Sequence, residues 1–148
     1  MDIEELIKAI TIQVLGLVNK KVLVFISGGV VNVEEEFKIL KEFDNLQYSV
    51  VLSDSAKDII PNKFIEDLNA DLISDKKLMS KKIDEVDFIL IPVMTRNILA
   101  KTAFGIRDTF ITTGISDAIM KNKKIIVVKD SFDPDNPVNV SLGYSQNV

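Results

Sequence analysis

Short runs of apolar residues alternate with helical patterns along this chain, and this alternation most constrains the fold. Apolar runs without polar interruption are typical of parallel strands that are buried on both faces of a sheet. The predicted strands are Val22–Ile26, Tyr48–Leu52, a short Asp71–Ile73, Asp87–Ile91 and Lys124–Val128. Because helical patterns lie between most of these strands, we expect an α/β protein with three layers, α/β/α, and a mainly parallel sheet.

The composition is that of one folded domain, and it excludes several kinds of chemistry. The chain has 148 residues, of which 47% are hydrophobic, and its net charge is −4, so nucleic acid is not an expected partner. It contains no cysteine and no histidine, which excludes disulfides, thiolate nucleophiles and the commonest general base and metal ligand. No apolar run reaches the roughly 20 residues of a membrane span. The acidic start differs from a signal peptide, so we expect a cytoplasmic protein without a metal.

Two local patterns give less definite expectations. The segment Lys76 to Ile83 is rich in lysine and predicts no clear element. Asp108 precedes a helical pattern from Thr109 to Lys121, and aspartate is a favoured N-cap residue, so Asp108 is predicted to cap that helix.

Polar or small residues follow three of the predicted strands at the points where these strands end. They are Ser27, Gly28, Gly29 and Val30 after the first strand, Ser53 and Ser55 after the second, and Met94, Thr95, Arg96 and Asn97 after Asp87–Ile91. Carboxyl ends of parallel strands lie at one edge of the sheet, where ligands bind in such folds. The three groups together therefore favour a binding site at this edge more strongly than any one of them does.

Each group also has a structural explanation. The glycine turn can approach a phosphate or can be a plain tight turn, and it lacks the full dinucleotide-binding fingerprint. Ser53 and Ser55 can bind phosphate or ribityl oxygens, or can cap a helix. Arg96 can pair with an anion or lie on the surface. Asn97 can meet the polar edge of a heterocycle, and Met94 can cover a flat ring or fill a gap in the core.

These residues resemble motifs of the homo-oligomeric flavin-containing cysteine decarboxylase family of flavoproteins, over about residues 20–129. That family's first turn is roughly Thr-Gly-Ser-Ile, similar to the turn that begins at Ser27, and its second strand ends in a serine-rich turn. Its signature Pro-Ala-Ser-Ala-Asn-Thr, followed by Lys-x-Ala-x-Gly-Ile-x-Asp, resembles Thr95, Asn97, Lys101, Ala103, Gly105, Ile106 and Asp108. The last motif is fairly specific, whereas the turns are not.

The resemblance implies an FMN cofactor and an assembly of at least a trimer, either a trimer or a dodecamer built from trimers. The phosphate and ribityl chain would lie against Ser27–Val30 and Ser53–Ser55, and the isoalloxazine near Met94–Asn97. The chain departs from the family's decarboxylases because it lacks their catalytic histidine and the cysteine of their substrate clamp. Lys129–Pro137 stands where they have Pro-x-Met-Asn-x-x-Met. Cysteine decarboxylation by the usual mechanism is therefore not expected.

We therefore expect an FMN-binding flavoprotein with a redox role, either as a flavin reductase or in electron transfer. One alternative is a flavin-dependent decarboxylase or other lyase with Asp54 or Asp108 as its acid-base group. Another is a non-catalytic flavin-binding or regulatory subunit, and a further one is a nucleotide-binding domain without flavin. The small-molecule substrate and the electron donor are not specified by the residues.

The expected organisation is an N-terminal amphipathic helix within residues 1–18, a flavoprotein domain over 20–130 and an irregular tail over 131–148. The domain is expected to be Rossmann-like, with a flavodoxin-like appearance. Apolar residues recur at three- and four-residue steps from Asp2 to Leu17, which predicts the helix. It can pack on its own sheet or on a neighbouring subunit. It also resembles the targeting helices of enzymes packaged in bacterial microcompartments, which implies a shell or cargo partner.

Overall fold

A parallel sheet forms the centre of the computed structural model, which describes residues 2–18, 20–27, 33–43, 45–128 and 135. Its strands are β1 Lys20–Ile26, β2 Leu46–Leu52, β3 Asp71–Leu72, β4 Phe88–Val93 and β5 Ile125–Val127. They lie in the order β3-β2-β1-β4-β5, and each neighbouring pair is parallel. The order reverses direction between β1 and β4, which makes the carboxyl ends of these two strands the topological switch point.

Helices cover both faces of this sheet. They are α2 Val33–Glu42, α3 Asp54–Ile59, α4 Asn62–Asp67, α5 Lys76–Glu85, α6 Arg96–Ala103 and α7 Phe110–Met120. A further helix, α1 Ile3–Val18, precedes β1. Helices α5, α6 and α7 contribute to the hydrophobic cluster on one face, and α2, α3 and α4 contribute to the cluster on the other. The predicted three-layer α/β/α fold with a Rossmann-like parallel sheet is thereby confirmed.

The apolar run of β1 is uninterrupted because successive side chains enter different clusters. Leu23 and Phe25 lie in the cluster with α5, α6 and α7, whereas Val22, Val24 and Ile26 lie in the cluster with α2, α3 and α4. All five side chains are at most 2% exposed. Strand residues alternate between faces, so a strand with a helix layer on each face needs apolar residues at every position.

Helix α7 packs very closely on β1, and a glycine allows this approach. A Cβ atom at Gly114 would lie 2.7 Å from two ring carbons of Phe25 and 2.8 Å from the Met79 sulfur atom. Real Cβ atoms essentially never come this close to another heavy atom. The absence of a side chain at Gly114 therefore sets how closely α7 packs against β1 and α5.

The structure corrects two local expectations. The lysine-rich segment forms α5, in which the Asp75 carboxylate accepts a hydrogen bond from the Leu78 backbone N–H (3.0 Å) and Met79 and Ile83 are buried. Two inward residues four positions apart are enough to attach one helix face to the core. The prediction that Asp108 caps α7 is wrong, because Thr109 is the cap residue.

Helix α1 confirms the predicted N-terminal helix, but its described side chains are not packed on the sheet. Ile3, Leu6, Ile7 and Ile10 are between 49% and 76% exposed. For this part of the helix, packing on its own sheet is excluded, and a neighbouring subunit or another partner remains the prediction. Within the described ranges, no helix is long and apolar enough to cross a membrane. The predicted tail over 131–148 lies, except for Asp135, outside the described residues.

Candidate functional site

A cavity of about 410 Å³ lies at the carboxyl edge of the sheet, next to the switch point. This volume is within the range of about 300–1,000 Å³ that is typical of small-molecule and cofactor sites. Residues that follow β1, β2 and β4 border it, together with the start of α7. The structure thus brings together the three polar strand ends that the sequence placed at one edge.

The end of β1 is fixed to the end of β4 by Ser27. This side chain is 6% exposed, and its hydroxyl donates a hydrogen bond to the Val93 carbonyl at 3.2 Å. The strand register shifts by one residue here, because Val24 pairs with Leu90 but Ile26 pairs with Val93. A bulge of this kind is tolerant of Pro92, which has no N–H to donate. Gly28, Gly29 and Val30, also predicted to bind the cofactor, lie outside the described residues.

Three hydroxyl groups that border the cavity are also helix caps. The Ser53 hydroxyl accepts a hydrogen bond from the Ala56 N–H (3.1 Å), and the Thr95 hydroxyl accepts one from the Ile98 N–H (3.2 Å). The Thr109 hydroxyl accepts one from the Thr112 N–H at 3.1 Å. An accepting hydroxyl still carries its own hydrogen, so capping and ligand binding are compatible.

The starts of α6 and α7 therefore meet at one cavity, and each brings the positive end of a helix dipole. Such an arrangement favours an anion or an electron-rich ligand. No lysine or arginine is among the described residues that line the cavity. Among the described lining residues, the groups available to a ligand phosphate are therefore hydroxyl and N–H groups.

The remaining predicted site residues lie at different distances from the cavity. Ser55 lines it, and its hydroxyl is 3.2 Å from the Ser53 hydroxyl. Asn97, the second residue of α6, lines it with an exposed side chain. Arg96 begins α6 but is not a lining residue. Met94 is 3% exposed and packs in the core cluster with α5, α6 and α7, as a gap-filling methionine does.

Two carboxylates were candidates for an acid-base role. Asp54 lines the cavity, but its side chain is fully exposed and its carboxylate lies 3.8 Å from the Lys57 amine. Asp108 is not among the lining residues, and its carboxylate accepts hydrogen bonds from the Lys101 amine at 2.9 and 3.1 Å. The pKa of the Asp108 carboxyl lies below its ordinary value, mainly because of these hydrogen bonds from Lys101. Asp108 is therefore charged at neutral pH and is not a proton donor there.

The sequence did not predict that Thr109, Phe110 and Ile111 line the cavity. The signal was present as a capping box, in which Thr109 and Thr112 each accept a hydrogen bond from the other's backbone N–H. A threonine before a helical pattern is visible in the sequence as an N-cap signal, although the usual capping box has glutamate or glutamine at the position of Thr112. The position of this helix start beside the ends of β1 and β4 is not visible there, because it depends on how α6 and α7 pack.

Comparison with known proteins agrees with this architecture. The chain matches the family model described as Flavoprotein over residues 12–141. The peptidyl-cysteine decarboxylase EpiD is 20% identical, with a TM-score of 0.60 over 74% of this chain and 68% of EpiD. DmrB from Burkholderia xenovorans, a cubic protein cage for redox transfer in complex with FMN, is 18% identical, with a TM-score of 0.59 over 73% of this chain and 64% of DmrB.

A third solved structure with the same fold is a dodecameric FMN-dependent UbiX-like decarboxylase from Escherichia coli O157:H7. It is 16% identical, with a TM-score of 0.60 over 73% of this chain and 64% of that protein. The chain thus spans slightly less than two thirds of this protein and of DmrB. No curated protein matches the chain. Because the family match covers most of its length, the chain belongs to the flavoprotein family, and its resemblance to the homo-oligomeric flavin-containing cysteine decarboxylase flavoproteins is confirmed.

Proposed function

We propose that this protein binds FMN in the cavity at the carboxyl edge of the sheet and uses it in a redox role, as a flavin reductase or an electron-transfer protein. The observation that carries the proposal is the meeting of Ser53, Thr95 and Thr109, each a helix cap, around one cavity of cofactor size. Family membership makes a flavin the expected ligand, and FMN is the flavin named for DmrB and for the Escherichia coli neighbour.

The chemistry of the lining residues fits FMN. Ser53 and Ser55 supply hydroxyl groups suited to a phosphate and a ribityl chain, which present oxygen atoms to hydrogen-bond donors. The Ser27 hydroxyl donates to the Val93 carbonyl, so it can only accept a hydrogen bond from a ligand, as from a ribityl hydroxyl. Asn97 supplies an amide with a donor and an acceptor for the polar edge of the ring. Ile98, Phe110 and Ile111 supply apolar surface for the ring faces. When bound, FMN supplies transfer of hydride or of single electrons.

A redox role needs less from the protein than decarboxylation does. The described lining residues include one carboxylate, the exposed Asp54, and the chain has no histidine. A flavin reductase needs to bind and orient the flavin and a reduced nicotinamide; the nicotinamide would supply hydride and solvent would supply the proton. The cage that carries out redox transfer, DmrB, has the same fold. The decarboxylases among the neighbours support the alternative reaction.

We also propose a homo-oligomer. DmrB forms a cage and the Escherichia coli neighbour a dodecamer, and this chain exposes large apolar side chains at the C-terminal ends of α6 and α7. Phe104 is 82% exposed and Met120 is 76% exposed. Exposed apolar surface of this kind is typical of subunit interfaces. A trimer or dodecamer would cover this surface. The exposed apolar stripe of α1, formed by Ile3, Leu6, Ile7 and Ile10, is available to a neighbouring subunit or to a microcompartment partner.

Anaerobic reduction separates the proposed role from its alternatives. Adding NADH or NADPH to the FMN-loaded protein is expected to bleach the flavin absorption near about 450 nm, and the same protein is expected to release no carbon dioxide from a cysteinyl peptide. Free FMN at the same concentration is the control for direct reduction. Release of carbon dioxide without bleaching would replace the redox role by decarboxylation. If the protein neither bleaches nor releases carbon dioxide, the remaining alternative is a non-catalytic flavin-binding subunit.

A further inference from the structure

A turn at Gly105 ends α6 and begins the segment that connects α6 to α7. Gly105 has φ +69°, the left-handed conformation that glycine adopts easily. The N–H of Gly105 donates to the Thr102 carbonyl at 3.2 Å, and the N–H of Ile106 donates to the Lys101 carbonyl at 2.8 Å. These two bonds form a Schellman motif, which ends α6 at a fixed point. The chain then has to return to the cavity, where Thr109 begins the next helix.

An ion pair fixes the return path. The Lys101 amine lies 2.9 and 3.1 Å from the two carboxylate oxygens of Asp108, across the Gly105 turn. Lys101 is one turn after Asn97 on α6, and Asp108 is directly before Thr109. The pair therefore joins α6, which brings Asn97 to the cavity, to the residue before Thr109, where α7 begins at the same cavity.

The position of Asp108 in the chain points to the same role. Asp108 is directly before Thr109, whose capping box with the buried Thr112 begins α7. The ion pair thus connects Lys101 on α6 with the start of α7.

We infer that the ion pair between Lys101 and Asp108 is a positioning device that holds Thr109 and the first turn of α7 against the flavin. The inference rests on the proposed FMN site and assigns a role to two residues that do not themselves line the cavity. Neither residue touches the ligand. They act by setting the separation between Asn97 on α6 and Thr109 on α7.

A matched ion pair elsewhere provides the control. The Lys121 amine lies 3.0 Å from the Asp84 carboxylate and joins α7 to α5. The two side chains are 27% and 63% exposed, against 23% and 53% for Lys101 and Asp108. Neither Lys121 nor Asp84 lines the cavity. Lys121 also lies 3.0 Å from the Asp117 carboxylate, so Asp84→Asn removes the link from α7 to α5 but leaves Lys121 paired, with no connection to the site.

The test compares FMN affinity and amide hydrogen exchange in Asp108→Asn, Lys101→Met, the double variant and Asp84→Asn. Each single change at the site is expected to weaken FMN binding about fivefold, the upper range for an exposed pair. The double variant is expected to be no weaker than either single variant, because the pair acts as a unit. Amide exchange at Phe110–Thr112 is expected to be faster in Asp108→Asn without FMN, and unchanged in Asp84→Asn.

Equal FMN affinities in Asp108→Asn and Asp84→Asn would overturn the positioning role, as would additive losses in the double variant. The exchange measurement needs no cofactor, so it separates the two proposals. Wild-type protein that binds no FMN refutes the proposed function. Unchanged exchange at Phe110–Thr112 in Asp108→Asn refutes the positioning role, whether or not FMN binds.

Discussion

Replacing Asn97 with tryptophan is expected to weaken FMN binding by at least about 100-fold, equivalent to about 2.7 kcal/mol. Asn97 is exposed and lines the cavity from the second position of α6. An indole at this position would occupy space that the ring of the cofactor needs and would remove the amide proposed to orient it. The fold should persist, because the side chain is not part of either hydrophobic cluster.

The matched control is Ala100→Trp, which adds the same ring to an exposed position about one turn further along α6. Ala100 does not line the cavity, so its FMN affinity should stay within about threefold of wild type, a change below about 1 kcal/mol. Equilibrium titration followed by flavin fluorescence measures both variants, and circular dichroism checks that both are folded. Similar affinities of the two tryptophan variants would place the flavin elsewhere.

Replacing Gly114 with valine is expected to lower the free energy of unfolding by about 3 kcal/mol, the upper part of the usual range for overpacked cores. The first added carbon alone would lie 2.7 Å from the Phe25 ring and 2.8 Å from the Met79 sulfur atom. Met79 can move its flexible side chain, but the Phe25 ring is completely buried. Helix α7 would have to move away from β1, which opens gaps elsewhere in the cluster.

For a chain of this size, such a loss corresponds to a fall in the melting temperature of about 6–12 °C. Ile119→Val is the control, since it changes an exposed side chain near the end of the same helix and should alter stability by no more than about 0.5 kcal/mol. Thermal or urea unfolding measures both. A Gly114→Val protein as stable as the control would mean that the close packing of α7 on β1 does not limit the fold.

The sheet could be predicted because its physical cause is local in the sequence. Val22 to Ile26 are apolar at every position since β1 has a helix layer on each face. The carboxyl edge could also be located, because the carboxyl ends of parallel strands lie at one edge of the sheet. Ser27, Ser53, Thr95 and Asn97 border one cavity as a result.

Other features depend on packing that no short pattern contains. Thr109 forms part of the cavity because the chain turns at Gly105 and returns to the carboxyl edge, where α7 begins. Met94 follows β4 in the sequence, like the cavity residue Thr95, yet it is buried in the core. Helix α5 has a mainly polar surface and is attached through Met79 and Ile83, so its periodicity was weak.

For α1, the sequence predicted the helix but not the surface that its apolar stripe contacts. Its periodicity correctly predicted a helix, but an amphipathic pattern does not specify which surface the apolar side packs against. Ile3 and Ile7 are exposed, so nothing in the described part of the chain buries them. The match to the flavoprotein family begins at residue 12, which places the stripe before the family's domain.

Titration of cofactor-free protein with FMN, with riboflavin as the comparison, tests the central claim most directly. Binding is expected to saturate at a single FMN per chain and to quench the flavin fluorescence. Riboflavin lacks the phosphate that the helix starts and serine hydroxyls are proposed to hold, so it should bind at least about tenfold more weakly. A protein that shows no saturable binding of FMN would contradict the account, and equal affinity for the two flavins would contradict the phosphate end of the site.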